Sequence, residues 1–136
     1  MIITQALNSP DFGCRIGSLS MEILERTGDK NLIGKTGLLW HGMIRHSKEP
    51  LRLCAADTLE CYHYAMDAGD VENAVYCGVI AYFADVLSGR SLAWMEKRYR
   101  NYISAILESE QNHTTQAFRV WLQACLLYTS PSPRDS

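Results

Sequence analysis

The stretch GDKNLIGKTG, Gly28 to Gly37, decides how the chain is read. Its Gly-Lys-Thr ending is that of a phosphate loop, which needs Gly, four residues, then Gly-Lys-Ser/Thr, so that backbone amides curl around phosphates before a helix starts. Here five residues, Asp29 to Ile33, separate Gly28 from Gly34. The preceding MEILERTG mixes Glu22, Glu25 and Arg26 with Ile23 and Leu24, which is helical and not the buried strand such a loop follows. The carboxylate of Asp29 would also face the phosphates, and no downstream apolar strand ends in an Asp that could hold magnesium. The stretch is expected to be a helix end at Gly28 with an Asp29 N-cap opening the next helix.

Composition narrows the rest. The 136 residues suffice for one domain with a modest core, and 13 basic against 15 acidic residues argue against nucleic acid or an anionic membrane as partner. No signal peptide or spanning apolar run is present, so a cytoplasmic protein is expected. Cys14, Cys54, Cys61, Cys77 and Cys125 form no CxxC pair and read as small buried thiols. His41, His46, His63 and His113 lack HExxH or HxxxH spacing, so neither a metal nor any other cofactor is expected.

Apolar periodicity is helical throughout. Leu92, Met95, Tyr99, Tyr102 and Ile106 form one stripe, opposite Glu96, Lys97 and Arg100. Ile33, Gly37, Trp40 and Ile44 form a second, and Leu51, Cys54, Ala55, Thr58, Tyr62 and Ala65 a third. Val71, Val75, Gly78, Tyr82 and Val86 supply a fourth, and Ile16, Leu19, Ile23 and Leu24 another. Helix starts at Pro10, Pro50 and Ser91 recur about every forty residues, as do the joints Gly28-Asp29 and Gly69-Asp70. GDKNLIGKTG and GDVENAVYCG are thus two copies of one joint. The expected helices are roughly 1–8, 10–27, 30–46, 50–67, 70–88, 91–109 and 113–124. The fold expected is all-α, an α-solenoid of antiparallel helix pairs, tetratricopeptide-like with extended helices. Neither end has a polar capping repeat, so both ends should expose apolar surface and favour self-association.

The tail CLLYTSPSPRDS, residues 125–136, breaks this pattern with two prolines and three serines. Cys125 to Asp135 resembles, over eleven consecutive residues, the translation of a transposase adapter used to build sequencing libraries. The biological sequence is therefore expected to stop near Ala124, in a gene cut mid-frame.

RHSKEPLR (Arg45 to Arg52), AGDVENAVYCG (Ala68 to Gly78) and AFRVWLQ (Ala117 to Gln123) follow one another in an order and spacing that resemble a known family. It is the helical-repeat region of large multidomain signalling proteins, which join a serine/threonine-kinase-like domain, an AAA or STAND-type ATPase domain, these repeats, a GAF domain and often a C-terminal histidine kinase of two-component type. The likeness covers most of Asp11 to Gln123. Ser47 departs from it, where the family favours Trp, as do the few aromatics around Ala81 to Leu87 and Asp85 within that apolar run. The resemblance implies no catalytic residue here, because phosphotransfer and ATP binding in such proteins belong to other domains.

The expected function is a non-catalytic regulatory or interaction scaffold within a larger signalling kinase or ATPase, contacting flanking domains in cis or a protein partner. The alternative is a free-standing tetratricopeptide-like adaptor that binds peptides. Interface energetics favour aromatics and Arg. Trp94 and Arg98, together with Tyr64, Arg45 and Lys48, are the candidate surface residues, while the stripe of Tyr62 assigns it to the core. Arg45, His46, Lys48, Glu49 and Arg52 surround a helix junction where charge compensation is an equal explanation. No nucleophile has a base: Cys61 and His63, two apart on a helix, point in different directions.

Overall fold

A computed structural model describes residues 9–108 and, beyond them, Gln116, Arg119, Val120 and Gln123. The expected helix at 1–8, the tail at 125–136 and most of 113–124 lie outside the described residues. Those described are all-helical, without a strand.

Helix α1, Pro10–Thr27, opens on Ser9, whose hydroxyl accepts the Phe12 amide at 3.4 Å while Pro10 occupies the first turn. It ends at Gly28 with φ 69°, which only glycine adopts without strain, and the Gly28 amide donates to the Leu24 carbonyl at 2.9 Å. Helix α3, Leu51–Asp67, follows Pro50 and ends at Gly69 with φ 74°. Asp70 then caps α4, Val71–Leu87, by accepting the Asn73 amide at 3.2 Å. Helix α5, Leu92–Glu108, starts where the Ser91 hydroxyl accepts the Trp94 amide at 3.4 Å. The long helices α1, α3 and α5 thus begin at positions 10, 51 and 92, the same step each time. α3 and α4, joined by a short turn, make the most extensive helix–helix contact among the described residues, and α5 packs on α4.

Asp29 does not cap the next helix. Its carboxylate accepts the Asn31 amide at 3.0 Å, tightening a turn, and α2, Ile33–Gly37, starts after Leu32 with no side-chain cap. Lys35 is exposed on α2. From Leu38 the expected α-helix becomes a π-helical segment, Leu38–Ile44, and then a 3₁₀ turn, Arg45–Ser47. Two fixed contacts accompany the widened turns: Gly37 sits against the Cys61 sulfur of α3, and the Trp40 ring lies over Gly17 of α1. The register shift changes the core face. Leu38 is buried, while Ile33, Trp40 and Ile44 are half-buried.

The core runs between α3, α4 and α5 through Leu59, Tyr62, Ala65, Val75, Tyr82, Met95 and Tyr99. Its aromatic spine makes edge contacts, with Tyr62 and Tyr102 centroids 5.0 Å apart and those of Tyr82 and Tyr99 5.4 Å apart. α4 is buried on several faces, as befits a helix covered from more than one side. α1 differs from its expected stripe: it turns Gly13, Gly17 and Leu24 inward, while Ile16, Leu19 and Ile23 face out beside Phe12. Gly17 lets Trp40 approach, and only Leu24 of the stripe joins the interior.

Candidate functional site

Two concave regions flank α3. The first, of about 260 Å³, lies between α1 and α3 and is lined by Met21, Leu24, Ile33, Glu60 and Tyr64 with His41 and Asp57 at its rim. A charged cluster closes that rim. Arg45 donates to the Asp57 carboxylate, to Glu49 Oε2 at 2.7 Å, and lies 2.9 Å from His41 Nδ1. The Glu49 hydrogen bond, aided by Asp57, holds the guanidinium firmly protonated, and Arg45 in turn draws the Glu49 carboxyl below its ordinary range.

His41 is governed by burial, which lowers its pKa below the ordinary 6.5 despite the attraction of Asp57, with Arg45 adding to the decrease. A folded pKa below the unfolded one means the contribution to stability is present above pH 6.5 and lost as pH falls through the folded value. The thermal midpoint is therefore expected to drop on acidification just below pH 6.5, before the carboxylates titrate. Thermal melts followed by circular dichroism across that window check this. His41→Asn should flatten that part of the profile.

The second region, of about 430 Å³, lies between α3 and α5 and is lined by Leu59, Trp94, Lys97, Arg98 and Tyr102. Behind it Asp85 of α4 is buried at 2% exposure and accepts the Tyr99 hydroxyl at 2.7 Å. Its carboxylate also faces Arg90 Nε at 3.8 Å and Arg98 Nε at 3.9 Å. Both guanidinium groups lie over the Trp94 ring, 4.6 and 5.2 Å from its centroid. Burial first, and then the Asp85 carboxylate, push the Tyr99 phenol well above its ordinary range, so it remains a donor.

The structure thus places Trp94 and Arg98 together on one groove and Tyr64 in the cleft whose rim Arg45 closes. Lys48 stands apart, paired with Asp11 of α1. Among the residues that matter, Asp57 and Asp85 escaped the sequence reading as site members. Asp57 meets Arg45 only through the bend after the π-helical turns, which no spacing signals. Arg90, Trp94 and Arg98 were legible in principle, since steps of four along the chain put them within reach of one another.

Three of the described thiols are poor nucleophiles. Cys54, Cys61 and Cys77 are buried, and burial pushes the Cys61 thiol up to about 12 and Cys77 higher. Among the described residues no group of three or more His, Cys, Asp or Glu side chains is placed to hold a metal ion, and no helix is long and apolar enough to cross a membrane. No protein-family model matches the chain, and neither a curated protein nor a solved structure matches it.

Proposed function

We propose that the chain is a slice of a longer α-solenoid of tetratricopeptide-like, antiparallel helix pairs, acting as a non-catalytic cytoplasmic scaffold within a larger signal-transduction kinase or ATPase. The observation that carries this reading is the repetition of one design. Helices start at 10, 51 and 92, and left-handed Gly28 and Gly69 end the first two, each followed by an Asp whose carboxylate accepts a nearby backbone amide, from Asn31 in a turn and from Asn73 as a helix cap. A pair of helices of this kind cannot bury its apolar faces alone, and stacking on neighbours is the physical remedy.

The outward stripe of α1 is consistent with such stacking. Phe12, Ile16, Leu19 and Ile23 are 45, 37, 55 and 51% exposed on successive turns, too regular a row for scattered surface residues. In the proposed assembly a preceding helix pair covers it. The isolated chain is expected to self-associate through this row. Leu19→Lys combined with Ile23→Glu removes two apolar contacts worth about 3 kcal/mol, and should weaken association on the order of a hundredfold. Sedimentation velocity of both proteins over a concentration series checks it.

Scaffolding suits stacked helix pairs because small shifts between neighbours change curvature along the whole surface. The decisive experiment uses the parent open reading frame. Deleting residues 10–108 should leave nucleotide binding by the upstream domain intact while abolishing the dependence of kinase output on signal. Saturable ATP binding by the present chain, lost in Lys35→Ala, would overturn the reading.

A further inference from the structure

The groove between α3 and α5 carries more positive charge than its own packing uses. Asp85 is the single carboxylate facing both Arg90 and Arg98, while Lys97 beside them has no acidic partner among the described residues. The neighbouring Glu96 is engaged elsewhere, with Arg100 at 2.8 Å. The two guanidinium groups lie over Trp94 on one side and face the buried Asp85 on the other, which restrains them before any ligand arrives. Beside this fixed charge lie the apolar surfaces of Leu59, Trp94 and Tyr102.

Resting on the scaffold reading above, we infer that this groove binds an acidic peptide segment of a partner protein, with Lys97 and Arg98 taking an Asp or Glu carboxylate while Leu59, Trp94 and Tyr102 cover the apolar residue next to it. Guanidinium groups preorganised in this way match the planar carboxylate fork. The groove's volume accommodates a few side chains and no more. A nucleic-acid strand would need a basic track continuing across several nucleotides. On the other side of α3 the next cleft is lined by Glu25, Asp57 and Glu60, so the basic surface does not continue past α3. A short basic patch beside apolar surface therefore favours a short acidic peptide over a polyanion.

The full chain should be used to select from a random octapeptide phage library, and the best peptides remade with a fluorescent label for anisotropy titration. The expected result is enrichment of Asp or Glu next to Leu, Ile or Phe, with affinity that falls as salt rises. Lys97→Glu, a substitution on an exposed side chain, should weaken that binding about tenfold or more without changing the circular dichroism spectrum. Selected peptides with no acidic bias, or equal binding by the Lys97→Glu protein, overturn the assignment, as does tighter binding of a labelled oligouridine than of any selected peptide. These outcomes leave the scaffold reading standing, whereas ATP binding through Lys35 would remove that reading whatever peptides are selected.

Discussion

Gly34→Val is expected to destabilise the fold by about 3 kcal/mol, lowering the thermal midpoint by roughly 10–15 °C. A Cβ at Gly34 would stand 2.7 Å from Ala65 Cβ, 2.9 Å from Ala65 Cα and 3.0 Å from its backbone nitrogen. No rotamer relieves a clash with backbone, so α2 would have to move off α3. That movement would also disturb the contact in which the Cys77 thiol of α4 approaches the Gly34 carbonyl at 3.8 Å. The smaller change Gly34→Ala makes the interpretation sharp. In a helix with room for a methyl group, Ala should add about 1 kcal/mol of stability over Gly. Here it should remove stability. Gly28→Ala is the control, because nothing lies within 4 Å of its added Cβ and its cost, about 1–2 kcal/mol, comes only from the left-handed backbone. Circular dichroism melts of the variants measure all of these differences.

Tyr99→Phe carries the second large effect. The hydroxyl donates at 2.7 Å to a carboxylate that is 2% exposed, and the flanking guanidinium nitrogens are at 3.8 and 3.9 Å, too far to replace that hydrogen bond. Leaving the buried charge short of its donor is expected to cost about 1.5–3 kcal/mol. Removing both partners is a different perturbation. Asp85→Leu with Tyr99→Phe exchanges the polar pair for apolar packing and should recover most of the loss in urea midpoint. The same double variant relieves Arg90 and Arg98 of their shared counter-charge, so acidic-peptide binding should be retained or strengthened while stability returns. Stability and ligand binding are thereby separated at one position.

The helical class was legible because its signals are local. Pro10, Ser91 and the glycines at 28 and 69 act within one turn of where they stand, and each is found at a helix end. The stripe of α3 was equally legible, since Cys54, Ala55, Thr58, Tyr62 and Ala65 all lie on its buried face. Reading failed where the cause was distant. Periodicity assumes 3.6 residues per turn, and the π-helical turns from Leu38 to Ile44 break that assumption while seating Trp40 on Gly17 and Gly37 on Cys61. The same rule marks the stripe on α1 as apolar without saying what covers it, and Ile16, Leu19 and Ile23 are exposed. An apolar row states that a helix wants a neighbour, not that the neighbour lies within these residues. Asp85 posed the converse problem: a carboxylate in an apolar run is unreadable until Tyr99, fourteen positions on, is brought to it by α5. The groove joined two residues already singled out, Trp94 and Arg98, but its charge balance needed Asp85, Arg90 and Lys97 in place.

Duplication of one period tests the central claim most directly. Residues 51–91 contain α3, α4 and the turn to the next helix, so a chain carrying that segment twice in tandem should insert one more pair into the stack. Measured in the Leu19→Lys, Ile23→Glu background to suppress association, it should keep the same helical ellipticity per residue and melt cooperatively at an equal or higher temperature. Its maximum dimension from small-angle X-ray scattering should grow by about 10 Å, one helix spacing. A duplicated chain that loses cooperative melting, or that scatters as a compact particle no longer than the parent, would contradict the account.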